Sequence, residues 1–340
     1  MEFVVFAIAG TLSALGTWLG MKLGERWGVV QMPGGRRRHL RPVSRLGGLG
    51  LCAGFLLTGL GLYLFAPRPA DPNLHLPLAG VLAGTAFAAL GGLADDRSEL
   101  PAGPQFAIQA AAAVIAILTD IFIGEATLPF IGKQTIPLLL AYPLTMVWVI
   151  GMMNTVNWLD GLDGLAAGVG AIAALFFGLH SLLKLGQPET AWYSFALAGA
   201  CLGFLVFNFF PARVFLGSAG ALGLGYALAA LSIIAPARVM TALLVLLIPI
   251  ADVAFLILDR WRQGRSPLQG DRGHLHFRLA DLGFSQRQIV LSYWLLCSVY
   301  GLAALLIESR ELKLAAFLGI AALVTVAWWA LRRRAAGLKE

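Results

Sequence analysis

The sequence predicts an all-α polytopic membrane protein of about eleven transmembrane helices, with the N-terminus outside and the C-terminus inside. Three observations carry this. The 340 residues are 59% hydrophobic and only 13% charged. Many apolar runs reach the roughly 20 residues that an α-helix needs to cross a bilayer. The Lys and Arg residues gather in alternate loops, as the positive-inside rule requires of a spanning chain.

The apolar runs fall near 3 to 22, 46 to 66, 77 to 94, 106 to 123, 138 to 157, 164 to 184, 191 to 209, 217 to 235, 239 to 258, 288 to 307 and 312 to 331. The first lacks a preceding basic segment and a small-residue cleavage site, which predicts a retained helix rather than a signal peptide. An odd number of spans puts the termini on opposite sides. With the N-terminus outside, all but six of the 25 Lys and Arg lie inside, the exceptions being Arg68, Lys133, Lys184, Arg238, Arg310 and Lys313. That asymmetry selects the N-out, C-in orientation.

Between the fourth and fifth runs, "GEATLPFIGKQTIPL" places a Gly-Lys pair between two short β-prone stretches, which predicts a small hairpin on the periplasmic side. Cys52, Cys201 and Cys297 all lie inside apolar runs without metal-type spacing, so they are expected to be packing residues. There is no internal repeat and no linker long enough to divide the chain. One bundle domain over 1–340 is the expectation.

Under this topology the polar residues converge on the inner side. "QMPGGRRRHLRPVSRLGG" carries Arg38 and His39 within a basic run. It reads either as a topology signal touching anionic headgroups or as a phosphate-binding patch. In "GGLADDRSELPAGPQ", Asp95 and Asp96 sit at a helix C-terminus, where carboxylates oppose the macrodipole unless a cation or basic group answers them. A solvated helix end is the alternative.

In "NTVNWLDGLDGLAAG", Asn154, Asn157, Asp160 and Asp163 recur at three-residue steps. Such steps drift by roughly 60° around a helix, so one unbroken helix cannot aim all four at one pocket. Gly161 and Gly164 predict a break instead. The fifth span then ends near Asp160, and Asp163 stands at the start of the sixth, where a helix N-terminus favours a carboxylate. Asn154 and Asn157 read either as site residues or as interhelical hydrogen-bonding glue. Carboxylates at a membrane boundary are costly and default to a functional reading.

In "NFFPARVFLGSAGALGLG", Asn208 precedes a chain break at Pro211, Arg213 offers a cation and Phe215 an aromatic face, ahead of small residues. A turn and a close-packed helix would explain the same pattern. The longest inner loop holds "QGDRGHLHFRLADLGFS", where His274, His276 and Arg278 could donate to phosphate oxygens or simply be solvated. Asp252, after Pro249 in the ninth run, is expected to pair with Arg213 or another inner-loop cation, or to cap a packing network.

Hard oxygen ligands, phosphate-seeking cations and an aromatic platform suit a magnesium nucleotide diphosphate better than zinc or a redox cofactor. A lipid reactant is natural at the membrane boundary. The reaction class is then phosphoryl transfer. A transporter would need acids through the membrane depth, where only Asp252 and Asp120 qualify. The basic balance is expected to serve membrane lipids and phosphates, with no nucleic-acid partner.

"GGLADDRSEL", "NTVNWLDGLDGLAAG", "FNFFPARVFLGSAG" and "DRGHLHFRL" resemble, in order, four cytoplasmic motifs of the polyprenyl-phosphate N-acetylhexosamine-1-phosphate transferases. "HLHFRL" is nearer the GlcNAc-type branch than the pentapeptide branch. The resemblance implies transfer of a sugar 1-phosphate, GlcNAc-1-phosphate or a related HexNAc-1-phosphate, from a UDP-sugar to undecaprenyl phosphate with release of UMP. It also implies Mg2+, with Mn2+ as a substitute, a bacterial inner-membrane location, a cytoplasmic site and the first membrane step of a cell-envelope polysaccharide. A homodimer is an open option.

By matching position, the resemblance assigns Asp95 to activating or orienting the lipid phosphate, with Asp96 beside it. Asp160 becomes a metal ligand supported by Asn157, while Asp163 recognises the nucleoside, Phe215 stacks on uracil and Asn208 assists. His274 and His276 contact the diphosphate or sugar. Where the family carries a second metal-binding Asp, this chain has Ser218. Phe277, Gln105, Gln31 and Ser44 are further departures. Two versions follow: an active transferase with a retuned site, or a diverged member that binds UDP-sugar or lipid phosphate but turns over slowly or not at all.

Overall fold

The computed structural model describes residues 1–32, 42–128, 132–234, 237–262, 264 and 273–337. All eleven apolar runs are helical. They form α1 (Glu2–Trp27), α2 (Gly47–Phe65), α3 (His75–Ser98), α4 (Ala102–Leu118), α5 (Leu138–Leu159), α6 (Leu165–Leu183), α7 (Pro188–Asn208), α8 (Gly217–Ile234), the pair α9 (Ala237–Val245) and α10 (Leu247–Arg262), α12 (Gln286–Leu306) and α13 (Arg310–Gly337). A short helix, α11 (Leu275–Asp281), lies between α10 and α12.

Among the described residues, eight helices are long and apolar enough to cross a membrane, or nine with the broken ninth run counted as one span. α4, at 17 residues, is roughly 26 Å long, shorter than a hydrocarbon core of about 30 Å. The ninth run bends by 79° at Leu246. Pro249 explains the bend, because its ring excludes the Val245 carbonyl and it has no N–H to return to it.

α8 sits at the centre. Nearly all of its residues are buried, with α3 and α5 packed along it. α1, α2 and α7 form a second group whose glycines bring backbones into contact, since a Cβ on Gly50 would collide with Thr17 and one on Gly203 with the Gly10 carbonyl. Polar ties cross between helices where lipid offers no alternative partner: Ser13 Oγ donates to Ala200 O at 2.6 Å, and Trp148 Nε1 to Ser232 Oγ at 3.0 Å. Cys52, Cys201 and Cys297 are buried free thiols.

Two short antiparallel pairs complete the fold. β1 (Val30–Gln31) pairs with β2 (Val43–Ser44), bracketing the basic loop that contains Arg38 and His39, which lie outside the described residues. β3 (Glu125–Leu128) pairs with β4 (Gly132–Thr135), the expected hairpin. Its turn differs from the expectation. Gly132 and Lys133 open the second strand, opposite Leu128 and Thr127, and Lys133 Nζ reaches Glu125 Oε2 at 2.8 Å. Residues 129–131, between the two strands, lie outside the described residues.

Candidate functional site

The polar segments meet at one end of the bundle. Asp96, 7% exposed in the last turn of α3, accepts from the backbone N–H of Ser218 through Oδ1 and of Ala219 through Oδ2, each at 2.9 Å. These are unsatisfied donors of the first turn of α8, where the helix presents its positive end. Two peptide amides are therefore the hydrogen-bond partners of this carboxylate, and the charge of Arg45 adds to them. Gly217 makes the approach feasible. Its φ of +65° lies in the left-handed region, and a Cβ there would lie 2.7 Å from Asp96 Oδ2.

Asp95 is half-buried and held by three donors. Its Oδ1 accepts from Leu100 N and Gln105 Nε2, each at 2.9 Å, and its Oδ2 from the Ser218 hydroxyl at 2.5 Å. Gln105 also donates to Leu100 O at 2.8 Å, fixing the turn after α3. Ser218 and Gln105, two of the sequence departures, thus converge on one carboxylate.

The expected break in the third motif is present. α5 ends at Leu159 with Asp160 as its C-cap, and α6 begins at Leu165 after Gly164 with φ of 79°. Asp163 does not cap α6, however. The left-handed turn at Gly164 swings its carboxylate away, and Oδ2 accepts from Ala212 N at 3.0 Å in the α7–α8 connection. The amide freed at Gly164 donates to Asn208 Oδ1 at 2.9 Å, and Asn208 Nδ2 donates to Val214 O at 2.8 Å. Asn208, 2% exposed, is thereby a buried clasp between the DGLDG turn and the connection leading to α8.

That connection is pinned a second time by β2. Phe215 N donates to Ser44 O at 2.9 Å, Ser44 bridges Val214, and the Ser44 hydroxyl donates to Gly20 O at 3.0 Å. The Phe215 ring is 2% exposed, packed within protein and not presented on an open face.

Asn154 lies deeper. Its amide forms a reciprocal pair with Gln109 of α4, Nδ2 to Oε1 at 2.7 Å and Gln109 Nε2 to Oδ1 at 3.2 Å, and also donates to Ile150 O at 2.9 Å. This is the interhelical arrangement. Sequence reasoning missed Gln109, although its place one helical turn after Gln105 puts it on the same side of α4. Asn157 is half-buried at the site end of α5.

The histidine segment packs onto the DGLDG turn. A Cβ on Gly161 would collide with His276 Nε2 and lie 2.8 Å from Phe277 Cζ, so only glycine admits this contact without displacement. The His274 ring lies 5.8 Å from the Trp158 ring and stacks at 5.4 Å on His276, with 12° between the planes. Arg278 Nε donates to Gly273 O at 2.8 Å. Asp252 pairs with His274 Nδ1 through Oδ2 at 3.0 Å, and its Oδ1 accepts from Leu275 N at 2.8 Å. Its partner is thus a histidine of the segment between α10 and α12, and not Arg213, which is exposed.

For a divalent cation the donor chemistry is specific. Among the described residues no cluster of three His, Cys, Asp or Glu could hold a metal ion. Asp95 and Asp96 are engaged by the donors above, and Ser218 offers a hydroxyl. Magnesium characteristically binds through one or two carboxylates together with substrate phosphates. This donor set could hold a cation only together with a bound diphosphate and not in a closed protein cage, and Asp160 stands at this end as the half-buried C-cap of α5.

Carboxylates, amides and histidines gathered at one end of a bundle of apolar helices define a multi-pass membrane protein with a polar site. Residues 78–236 match the family model described as "Glycosyl transferase family 4". The chain is 34% identical to the decaprenyl-phosphate N-acetylglucosaminephosphotransferase of Mycolicibacterium smegmatis, over 88% of this chain and 81% of the relative. It is 29% identical to the probable undecaprenyl-phosphate N-acetylglucosaminyl 1-phosphate transferase of Bacillus subtilis, covering 87% and 82%. With a phospho-N-acetylmuramoyl-pentapeptide-transferase of Synechococcus it shares 34% identity, covering 84% and 83%. The chain belongs to glycosyl transferase family 4, the polyprenyl-phosphate N-acetylhexosamine-1-phosphate transferases.

Proposed function

We propose that the protein transfers GlcNAc-1-phosphate from UDP-GlcNAc to undecaprenyl phosphate, giving undecaprenyl-diphosphate-GlcNAc and UMP. A lipid-phosphate oxygen forms a bond to the sugar-bearing phosphorus as the bond from that phosphorus to the oxygen retained by UMP breaks. The observation that carries this is the convergence of the α3 carboxylates, the DGLDG turn and the histidine segment at one end of the bundle. The names of the relatives supply the substrates.

In this reading Asp95, held by Leu100, Gln105 and Ser218, orients the incoming lipid phosphate. Asp163 and Asn208 hold the α7–α8 connection against the turn and so shape the nucleoside side, and stacking on Phe215 requires that connection to open. His274, His276 and Arg278 face the diphosphate, with Arg38 and His39 supplying further cations. Mg2+, shared between Asp160 and the diphosphate, would neutralise charge that accumulates in transfer.

The positive-inside asymmetry supports eleven spans over one domain, N-out and C-in, in a bacterial inner membrane with the site cytoplasmic. The product would begin a cell-envelope polysaccharide. Purified protein supplied with UDP-GlcNAc, undecaprenyl phosphate and Mg2+ should release UMP stoichiometrically with lipid-linked sugar. Binding of UMP without any transfer would favour the diverged reading, which the Ser218 hydroxyl on Asp95 specifically motivates.

A further inference from the structure

We infer that Asp252 is a positioning residue for His274, fixing which ring nitrogen meets the substrate. Asp252 belongs to α10, just past the bend after α9, and is 3% exposed. Both of its oxygens accept: Oδ1 from Leu275 N at 2.8 Å, Oδ2 from His274 Nδ1 at 3.0 Å. A carboxylate offers acceptors only, so Nδ1 of His274 carries hydrogen. The ring is then left with Nε2, on its far side, for any other partner.

The placement of the ring gives this tautomer a use. His274 is 5% exposed and sits between Trp158 and His276, whose ring rests on Gly161. Trp158 and Gly161 flank Asp160. Asp252 therefore secures the histidine segment from behind while its front packs on the turn carrying that carboxylate. The Leu275 amide is one of the unsatisfied donors at the start of α11, so one carboxylate sets both the helix start and the ring. Truncating a carboxylate that orients a reacting imidazole characteristically alters the tautomer as well as the packing.

This inference rests on the transferase reading for its kinetic arm and on geometry alone for its spectroscopic arm. In the kinetic arm, Asp252→Asn, His274→Gln and the double variant of the full chain are compared for UMP release from UDP-GlcNAc. Asn can keep the Leu275 contact through its oxygen, but then turns an NH2 toward Nδ1 and disfavours the native tautomer. A loss of about 10- to 100-fold in kcat/KM is expected for Asp252→Asn alone, and less than about 2-fold when it is added to His274→Gln, because residues acting as a unit are non-additive. Equal losses in both backgrounds, or no loss, would overturn the inference.

In the spectroscopic arm, nitrogen chemical shifts of 15N-histidine-labelled wild type, with His274 assigned by its absence from His274→Gln, should show Nδ1 protonated. A bare Nδ1 in the wild type refutes the inference whether or not Asp252→Asn folds. Absence of transfer by the wild type overturns the proposed function instead, leaving the tautomer to decide this one.

Discussion

Asp96 at the end of α3 accepts the backbone N–H of Ser218 at the start of α8 at 2.9 Å, and its second oxygen takes the next amide, that of Ala219, at the same distance. The negative end of one helix is thereby joined to the positive end of another through a single carboxylate. Adjacent Asp95 shares Ser218 through its hydroxyl but is otherwise held by Leu100 N and Gln105 Nε2 in the turn after α3.

Asp96→Asn should destabilise more than Asp95→Asn. The amide can accept only one of the two α8 amides and turns its NH2 toward the other. Helix-end capping by a side-chain oxygen contributes about 1 kcal/mol, and hydrogen bonds to charged groups roughly 1.5–3 kcal/mol. Thermal unfolding in detergent should therefore show the larger drop for Asp96→Asn; equal midpoints would contradict the assignment of Asp96 to α8.

Ser218→Asp would set a second carboxylate against Asp95 in place of a hydroxyl donor. Like charges at that separation demand a cation. The variant should unfold at lower temperature than wild type without Mg2+ and gain more from added Mg2+. Half-saturation should move to lower concentration by about 10-fold, equivalent to roughly 1.4 kcal/mol. A magnesium response no different from wild type would remove Ser218 from the metal's surroundings.

Gly161→Ala drives a methyl into His276 and toward Phe277. Overpacking of this kind costs about 1–3 kcal/mol. Here the displaced group is the histidine segment, so kcat/KM for UDP-GlcNAc should fall more than stability does. Alanine at Gly103, where a Cβ meets nothing, is the control.

The Asn154–Gln109 pair should behave as a unit. Asn154→Leu alone leaves a buried Gln109 amide without its partner, costing about 1–3 kcal/mol, whereas Leu at both positions should recover much of that loss. Unfolding midpoints of the two single variants and the double close this cycle. An additive double variant would show that the two amides do not depend on each other.

Much of the architecture was legible because lipid imposes one rule on every span: apolar length, with all backbone groups satisfied within the helix. That rule located all eleven helical runs. It also exposed the break at Asp160, since three-residue spacing is incompatible with one helical face. Individual span geometry was less legible. The kink of α9 and α10 depends on how Pro249 is accommodated, and the shortness of α4 on where its end turns toward Asp120, which has φ of 59°.

The sequence by itself determined the family, the bundle and the segments that carry polar chemistry, because composition and motif order are properties of the chain. Only the tertiary structure decided partners. Asp96 went to helix α8, Asp163 to the Ala212 amide, Asn154 to Gln109 and Asp252 to His274. Hydrogen-bond partners depend on distances of a few tenths of an ångström between distant segments, as for Asp96 and Ala219, 123 residues apart. No local spacing encodes such distances; the packing of α3 and α5 on α8, and of α10 on α5, does.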